Sequence, residues 1–210
     1  MNKVLLTVII VLVVLTAAAI AVMYYMQKGP DPKQFEHLIN PSISKLPNQH
    51  MLVVEAKGDP NISGATAIKL LFKTYYSLSG VNKSKKVSPR ARWPIADDSP
   101  KNQWLGLFAL PIPPAIKTLP KLENPEQQNI FIADWEYGTV AEILHKGSYD
   151  TEKATVQKLK SYIKQQGYTI VSEHEEDYLK GPGMFGPGNP DKYLTIIRYR
   201  VMKLSDLMKM

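Results

Sequence analysis

Thr139-Val-Ala-Glu-Ile-Leu-His-Lys-Gly-Ser-Tyr149 is the stretch on which the fold turns. Thr139 to His145 is short and apolar-rich, as a half-buried strand is. Lys146-Gly147-Ser148 then breaks it with a turn. Beyond the turn, Asp150 is placed to cap a helix, and Glu152 falls in the first turn, where the helix dipole favours an anion. Val156, Leu159 and Ile163 recur at intervals of three and four and give one apolar face. Gly167 ends the helix as the residue after its last turn. Tyr168 to Val171 and Tyr193 to Val201 read as two more strands, so the unit is strand, helix, strand, strand.

The same order occurs earlier in the chain. With residues 50–72 laid over 139–161, an offset of 89, six of the 23 positions are identical: Lys57, Gly58, Ala65, Thr66, Lys69 and Leu70 match Lys146, Gly147, Ala154, Thr155, Lys158 and Leu159. In this first half Ser63 is a candidate cap for a helix with Ile68, Leu71, Phe72 and Tyr75 as its buried stripe, ending by Gly80. A long basic loop follows, then a strand from Gln103 to Leu110. The expected fold class is α+β: two pseudo-symmetric βαββ repeats, about 48–113 and 131–202, forming one antiparallel sheet with two helices on one face. The other face is left to form a cleft along the pseudo-twofold axis. Pro111 to Pro125 reads as the connector between the halves of a domain spanning 48–204.

Upstream, Val4 to Met26 runs for 23 residues without a charge, Gly or Pro. As a helix this spans roughly 34 Å against a hydrocarbon core of about 30 Å, so 4–26 is read as a single-pass transmembrane anchor with the lipid bilayer as its partner. Thirteen of these residues are Val, Ile or Leu, enough to favour insertion. A cleavable signal peptide is the competing reading, with Lys3 as its basic start and Ala17-Ala18-Ala19 as the cleavage site, but the apolar run continues past the alanines. Lys3 before the span and Lys28 and Lys33 after it give little asymmetry. The lean is to a cytoplasmic N-terminus with the domain outside. Residues 27–47, rich in Pro, read as a stalk.

Cysteine is absent, which excludes disulfides, a thiol nucleophile and a cysteine-bound metal. The net charge of +7 is concentrated in Lys83, Lys85, Lys86, Arg90 and Arg92. With no recognition motif beside it, this reads as a solvated basic loop and not as a nucleic-acid surface. The sequence sets no oligomeric state.

Thr139 to Tyr149, its helix and Gly167-Tyr168 resemble the second repeat of GyrI-like small-molecule-binding domains. So does Glu175-Glu-Asp-Tyr-Leu179, followed by a Gly/Pro-rich loop and Tyr193-Leu-Thr-Ile-Ile-Arg-Tyr199. The family includes effector-binding domains of multidrug-responsive regulators. The resemblance implies a cleft between the repeats, lined by aromatics around a buried acid, that takes bulky, apolar, often cationic compounds. Carried over by position, Glu176 is the candidate acid with Tyr178 beside it, and Trp104 and Tyr137 are candidate walls. Trp135 and Glu142 are further candidates for ligand contact. The opposing reading makes Glu176 a solvated member of the acidic run 175–177 and the aromatics ordinary core. Some relatives are understood to hydrolyse strained electrophiles. Glu176 as general base on a water and Tyr178 as proton donor would fit that chemistry too. No helix-turn-helix segment accompanies the domain.

Gly181-Pro-Gly183-Met-Phe-Gly186 matches a dinucleotide fingerprint in form only, because prolines interrupt it and no helix opens after it; it reads as a flexible rim to the cleft. His37, His50, His145 and His174 lack ligand spacing, so no metal and no cofactor are expected.

Overall fold

Each half is built on a strand that ends in its Lys-Gly turn. In this computed structural model, residues 2–207 and 209 are described except 28, 96–98, 122, 124–127 and 183–187, with backbone alone at 22–27 and 61. The elements are α1 (Lys3–Gln27), β1 (Ser42–Leu46), β2 (Gln49–Lys57), α2 (Pro60–Ser77), β3 (Arg90–Ile95), β4 (Leu105–Pro111), β5 (Ile130–Trp135), β6 (Gly138–Lys146), α3 (Glu152–Gln165), β7 (Tyr168–Ile170), β8 (His174–Lys180), β9 (Leu194–Lys203) and α4 (Leu204–Leu207). All pairings are antiparallel, in the order β1-β6-β9-β8-β3-β4-β2-β5, with β7 pairing β9.

That order is a palindrome, and the register fixes its centre. Val54 pairs with Phe108, and Ile143, 89 residues on, pairs with Ile197. Gly58 donates its N–H to the Trp104 carbonyl, as Gly147 does to that of Tyr193. Both glycines have positive φ, +99° and +139°, which side-chain-bearing residues rarely adopt. The pseudo-twofold axis passes through the central pair Ala91 and Glu176, since Phe108 and Ile197 are their respective outer neighbours.

The offset reaches one strand further than the two βαββ units. Ile43 of β1 pairs with Ala141 of β6, and Ile132 of β5 pairs with Leu52 of β2. Each half thus places its first strand on the edge of the other half. Residues 42–46, expected within the stalk, are therefore an edge strand of the sheet. Two more expectations are corrected. Arg90 and Arg92, expected in a basic loop, lie on β3 at the centre of the sheet, where they pair with Asp177 and Glu175. The counterpart of β3 is β8, the acidic run itself, whereas Tyr168–Ile170 is a short outlying strand beside Val201–Lys203. At the helix starts, α2 begins at Pro60, and Ser63 lies inside it, donating to the Asp59 carbonyl. Ser148, not Asp150, supplies the capping side chain ahead of α3, accepting from the Asp150 N–H.

Both helices cover one face. Leu52, Val54, Phe108 and Leu110 pack under Leu70 and Leu71 of α2, while Ala141, Ile143 and Ile197 pack under Leu159 and Ile163 of α3. The opposite, concave face carries a third cluster around Met51, Val53, Trp135, Tyr137 and Val140. Leu46 of β1 and Phe131 of β5 join that cluster, so the concave face is filled, not left open as a cleft. Lys3–Ala21 is long and apolar enough to cross a membrane, and its described side chains are all exposed; length and composition fit a signal sequence equally.

Candidate functional site

Strand alternation splits the candidate residues between two faces. Glu176 pairs across with Ala91 and Ile197, both packed under the helices, so its carboxylate lies on the helix face in the seam between α2 and α3. Tyr178 follows on the same face. Trp135, Tyr137 and Glu142 lie on the concave face, with the sheet between them and Glu176. Trp104 stands apart from both groups, edge-on to Trp93 at 5.6 Å with its indole N–H donating to the Ser99 carbonyl.

The concave face holds a buried ion network. Arg198 donates from Nε to Glu142 at 2.8 Å and pairs through Nη1 with Glu175. Arg92 donates to Glu175 at 2.7 Å, Arg90 to Asp177 at 3.0 Å, and the Tyr137 hydroxyl to Glu175 at 2.8 Å. Burial pushes the Tyr137 hydroxyl up to about 12, and the Glu175 carboxylate adds to the rise. Burial alone would lower Arg198, but Glu175 and Glu142 more than reverse this and hold it charged. Of these carboxylates, Asp177 keeps one buried oxygen, Oδ1, without a hydrogen-bond partner.

The helix-face site is built differently. Glu176, its side chain 13% exposed, lies with Oε1 2.9 Å from His174 Nε2, and His174 Nδ1 meets the Tyr199 hydroxyl at 2.7 Å. Tyr178 lies beside Glu176; its hydroxyl is raised by burial first and by that carboxylate second. Tyr149 packs edge-on over Tyr178 at 5.7 Å and tilts against Tyr193 at 5.4 Å. Tyr149 is the outermost ring, 37% exposed, and Tyr193 is buried. From the first turn of α3 comes Glu152, buried, with Oε1 lacking any hydrogen-bond partner. Burial first, and then the nearby Glu176 charge, hold Glu152 well above the ordinary carboxylic-acid range. Both effects favour the neutral form of the Glu152 carboxyl group. Beside the cluster, an open groove of about 610 Å³ is lined by Trp93, Lys160, His174 and Tyr199, among others. The buried indole N–H of Trp93 has no partner.

Glu152, His174, Tyr149, Tyr193 and Trp93 were not among the sequence candidates. Two signals pointed to them: alternation places 174, 176 and 178 on one face, and the offset of 89 makes Tyr193 the counterpart of Trp104. The glycine-rich loop expected at the cleft rim falls largely on 183–187, outside the described residues.

No protein-family model and no protein of curated function matches the chain. Among solved structures it is similar to an uncharacterized conserved protein from Listeria innocua, at 19% identity and TM-score 0.64 over 82% of this chain and 97% of that one. A hydrolase from Listeria innocua matches at 19% identity and TM-score 0.61, over 81% and 96%. The C-terminal domain of EcmrR matches at 15% identity and TM-score 0.57, over 79% and 98%. At these identities the likeness is one of fold.

Proposed function

We propose that this chain is a membrane-tethered, GyrI-like small-molecule-binding protein that takes bulky apolar or cationic compounds over Glu176 in the seam between its repeats. The observation carrying this reading is a single part-buried carboxylate on the pseudo-twofold axis, with the rings of Tyr178, Tyr149 and Tyr193 grouped above it. A lipophilic cation is desolvated at lower cost than an ammonium but still needs a compensating charge, which Glu176 supplies. Each aromatic face adds about 0.5–2 kcal/mol through the cation–π term. Trp93 and Trp104 extend the apolar surface towards the groove. The match to the EcmrR C-terminal domain, over 79% of this chain, supports the fold on which this reading rests, and α1 supplies a tether of membrane-spanning length. Deleting residues 2–27 should then move the protein from the membrane fraction to the soluble fraction.

The test is thermal melting of the detergent-solubilised full chain, in EDTA, against a panel of lipophilic cations and neutral aromatics. A compound at a hundred times its Kd stabilises by about 2.7 kcal/mol, roughly 5–10 °C for a chain of this size. The shift should vanish in Glu176→Gln while that variant's own melting stays near wild type. A flat panel sinks the reading.

A second reading draws on the acid–carboxylate pair and on the match to a protein named a hydrolase. Glu176 takes a proton from water, whose oxygen attacks a strained carbon. The carbon–heteroatom or carbon–carbon bond breaks, and its electron pair takes the Tyr178 proton. Neutral Glu152 keeps a second negative charge away from the incoming oxygen. Multiple turnovers of an epoxide or cyclopropane probe, abolished by Glu176→Gln, would support it; binding without turnover leaves the protein a binder.

A further inference from the structure

Three side chains that are far from obvious ligand spacing in the sequence converge on the helix face. Glu152 comes from α3, and His174 and Glu176 come from alternate positions of β8. One donor atom from each lies within 4.8 Å of the others. His174 Nε2 and Glu176 Oε1 are already 2.9 Å apart, close to the roughly 3 Å separating neighbouring donors on an ion with bonds of about 2.1 Å. We propose that Glu152, His174 and Glu176 form a binding site for one divalent transition-metal ion, Zn2+ before Mn2+ and neither replaced by Mg2+.

Independent of the clustering is the state of Glu152. The residue is 8% exposed, and its Oε1 has no partner. A buried carboxylate oxygen without a donor loses the full desolvation cost of the group. Neither tautomer of His174 relieves this, since its ring nitrogens face Glu176 and Tyr199. A cation between the two carboxyl groups gives the orphan oxygen a partner and offsets the charge Glu152 takes on when it binds. The second contact of His174 suits the role: with Nδ1–H donating to the Tyr199 hydroxyl, Nε2 presents a bare lone pair to the ion. One imidazole with two carboxylates favours borderline ions of the zinc class over magnesium, which takes oxygen ligands and keeps its waters. One of the three side chains, His174, also lines the groove beside the cluster, together with Tyr199.

The proposal shares Glu176 with the organic-ligand reading, so its test contains no organic ligand. Full-length protein is stripped with chelator, exchanged into chelator-free buffer, and titrated with Zn2+, Mn2+ and Mg2+ alone by calorimetry and by competition with a chromophoric chelator. About one Zn2+ per chain should bind with a low-micromolar Kd or tighter, Mn2+ should bind more weakly, and Mg2+ should show no saturable binding. Glu152→Gln and His174→Gln should each weaken Zn2+ at least about tenfold, and Tyr199→Phe by about tenfold through loss of orientation. His37→Gln, far from the cluster in sequence, should change nothing. Melting curves of each variant check that it is folded, and Glu152→Gln, which changes a buried acid whose Oε1 has no hydrogen-bond partner, is expected to fold. Absence of saturable Zn2+ binding, or affinity retained by either Glu152→Gln or His174→Gln, overturns the proposal.

Discussion

The carboxylate of Glu175 meets three donors, Arg92, Arg198 and Tyr137, on the concave side of β8, while that of Glu176, one residue on, faces tyrosine rings and a second acid. Equal substitutions should therefore have unequal effects. Glu175→Gln leaves Arg198 and Arg92 short of a counter-charge and should cost about 3–5 kcal/mol in urea denaturation. Glu176→Gln should cost less than about 1 kcal/mol and act on ligand binding instead. Glu152 gives a pH signature. Its folded pKa lies above its unfolded value, so below the unfolded value both states are protonated and nothing is lost. As pH rises from about 4.5 towards the folded pKa, the unfolded chain ionises first and stability falls. Measured in EDTA, Glu152→Gln should match wild type near pH 4 and exceed it by roughly 1–3 kcal/mol at pH 7.5. The groups facing Glu152 there are Glu176, His174, Tyr149 and Tyr178. Glu176 and Tyr178 could be put forward from the chain because their motif is local. Glu152 was not, because its meaning depends on a strand twenty-two residues later.

At the level of elements, the two long helices of the domain and strands β2, β4, β6 and β9 were legible from the chain, and β3 and β8 were not. Their alternating charges, Arg90 and Arg92 against Asp177 and Glu175, read as solvated runs when each is seen alone. Only the pairing of the two strands neutralises them. His174 of β8 was hidden by the same ambiguity, since a charged strand does not announce which of its faces is buried. The turns that close β2 and β6 were legible, and they carry a prediction. A Cβ on Gly147 would sit 3.2 Å from the Thr151 hydroxyl at φ +139°. Gly147→Ala should cost about 1–3 kcal/mol by thermal melting.

Across the whole molecule, the internal duplication was legible from six identities and the shared order of elements. The exchange of edge strands was not, since Ser42–Leu46 carries no apolar alternation and sits in a proline-rich stretch. Removing residues 42–46 should uncover the edge of β6 and strip Leu46 from the concave cluster. The expected outcome is an association-prone protein that melts at least several degrees lower, as read by calorimetry and light scattering.

That exchange has a consequence for how a chain of this kind arises. A molecule of one half's length can close the same sheet only by lending its first strand to a second copy, so tandem duplication turns a two-molecule assembly into one without changing any strand partner. Two identical copies would place the same residue on both sides of the axis, giving either two facing acids or none. Once the copies are fused, they are free to diverge, and one half keeps Ala91 where the other presents Glu176. A lone carboxylate at the centre is an arrangement that symmetry had forbidden.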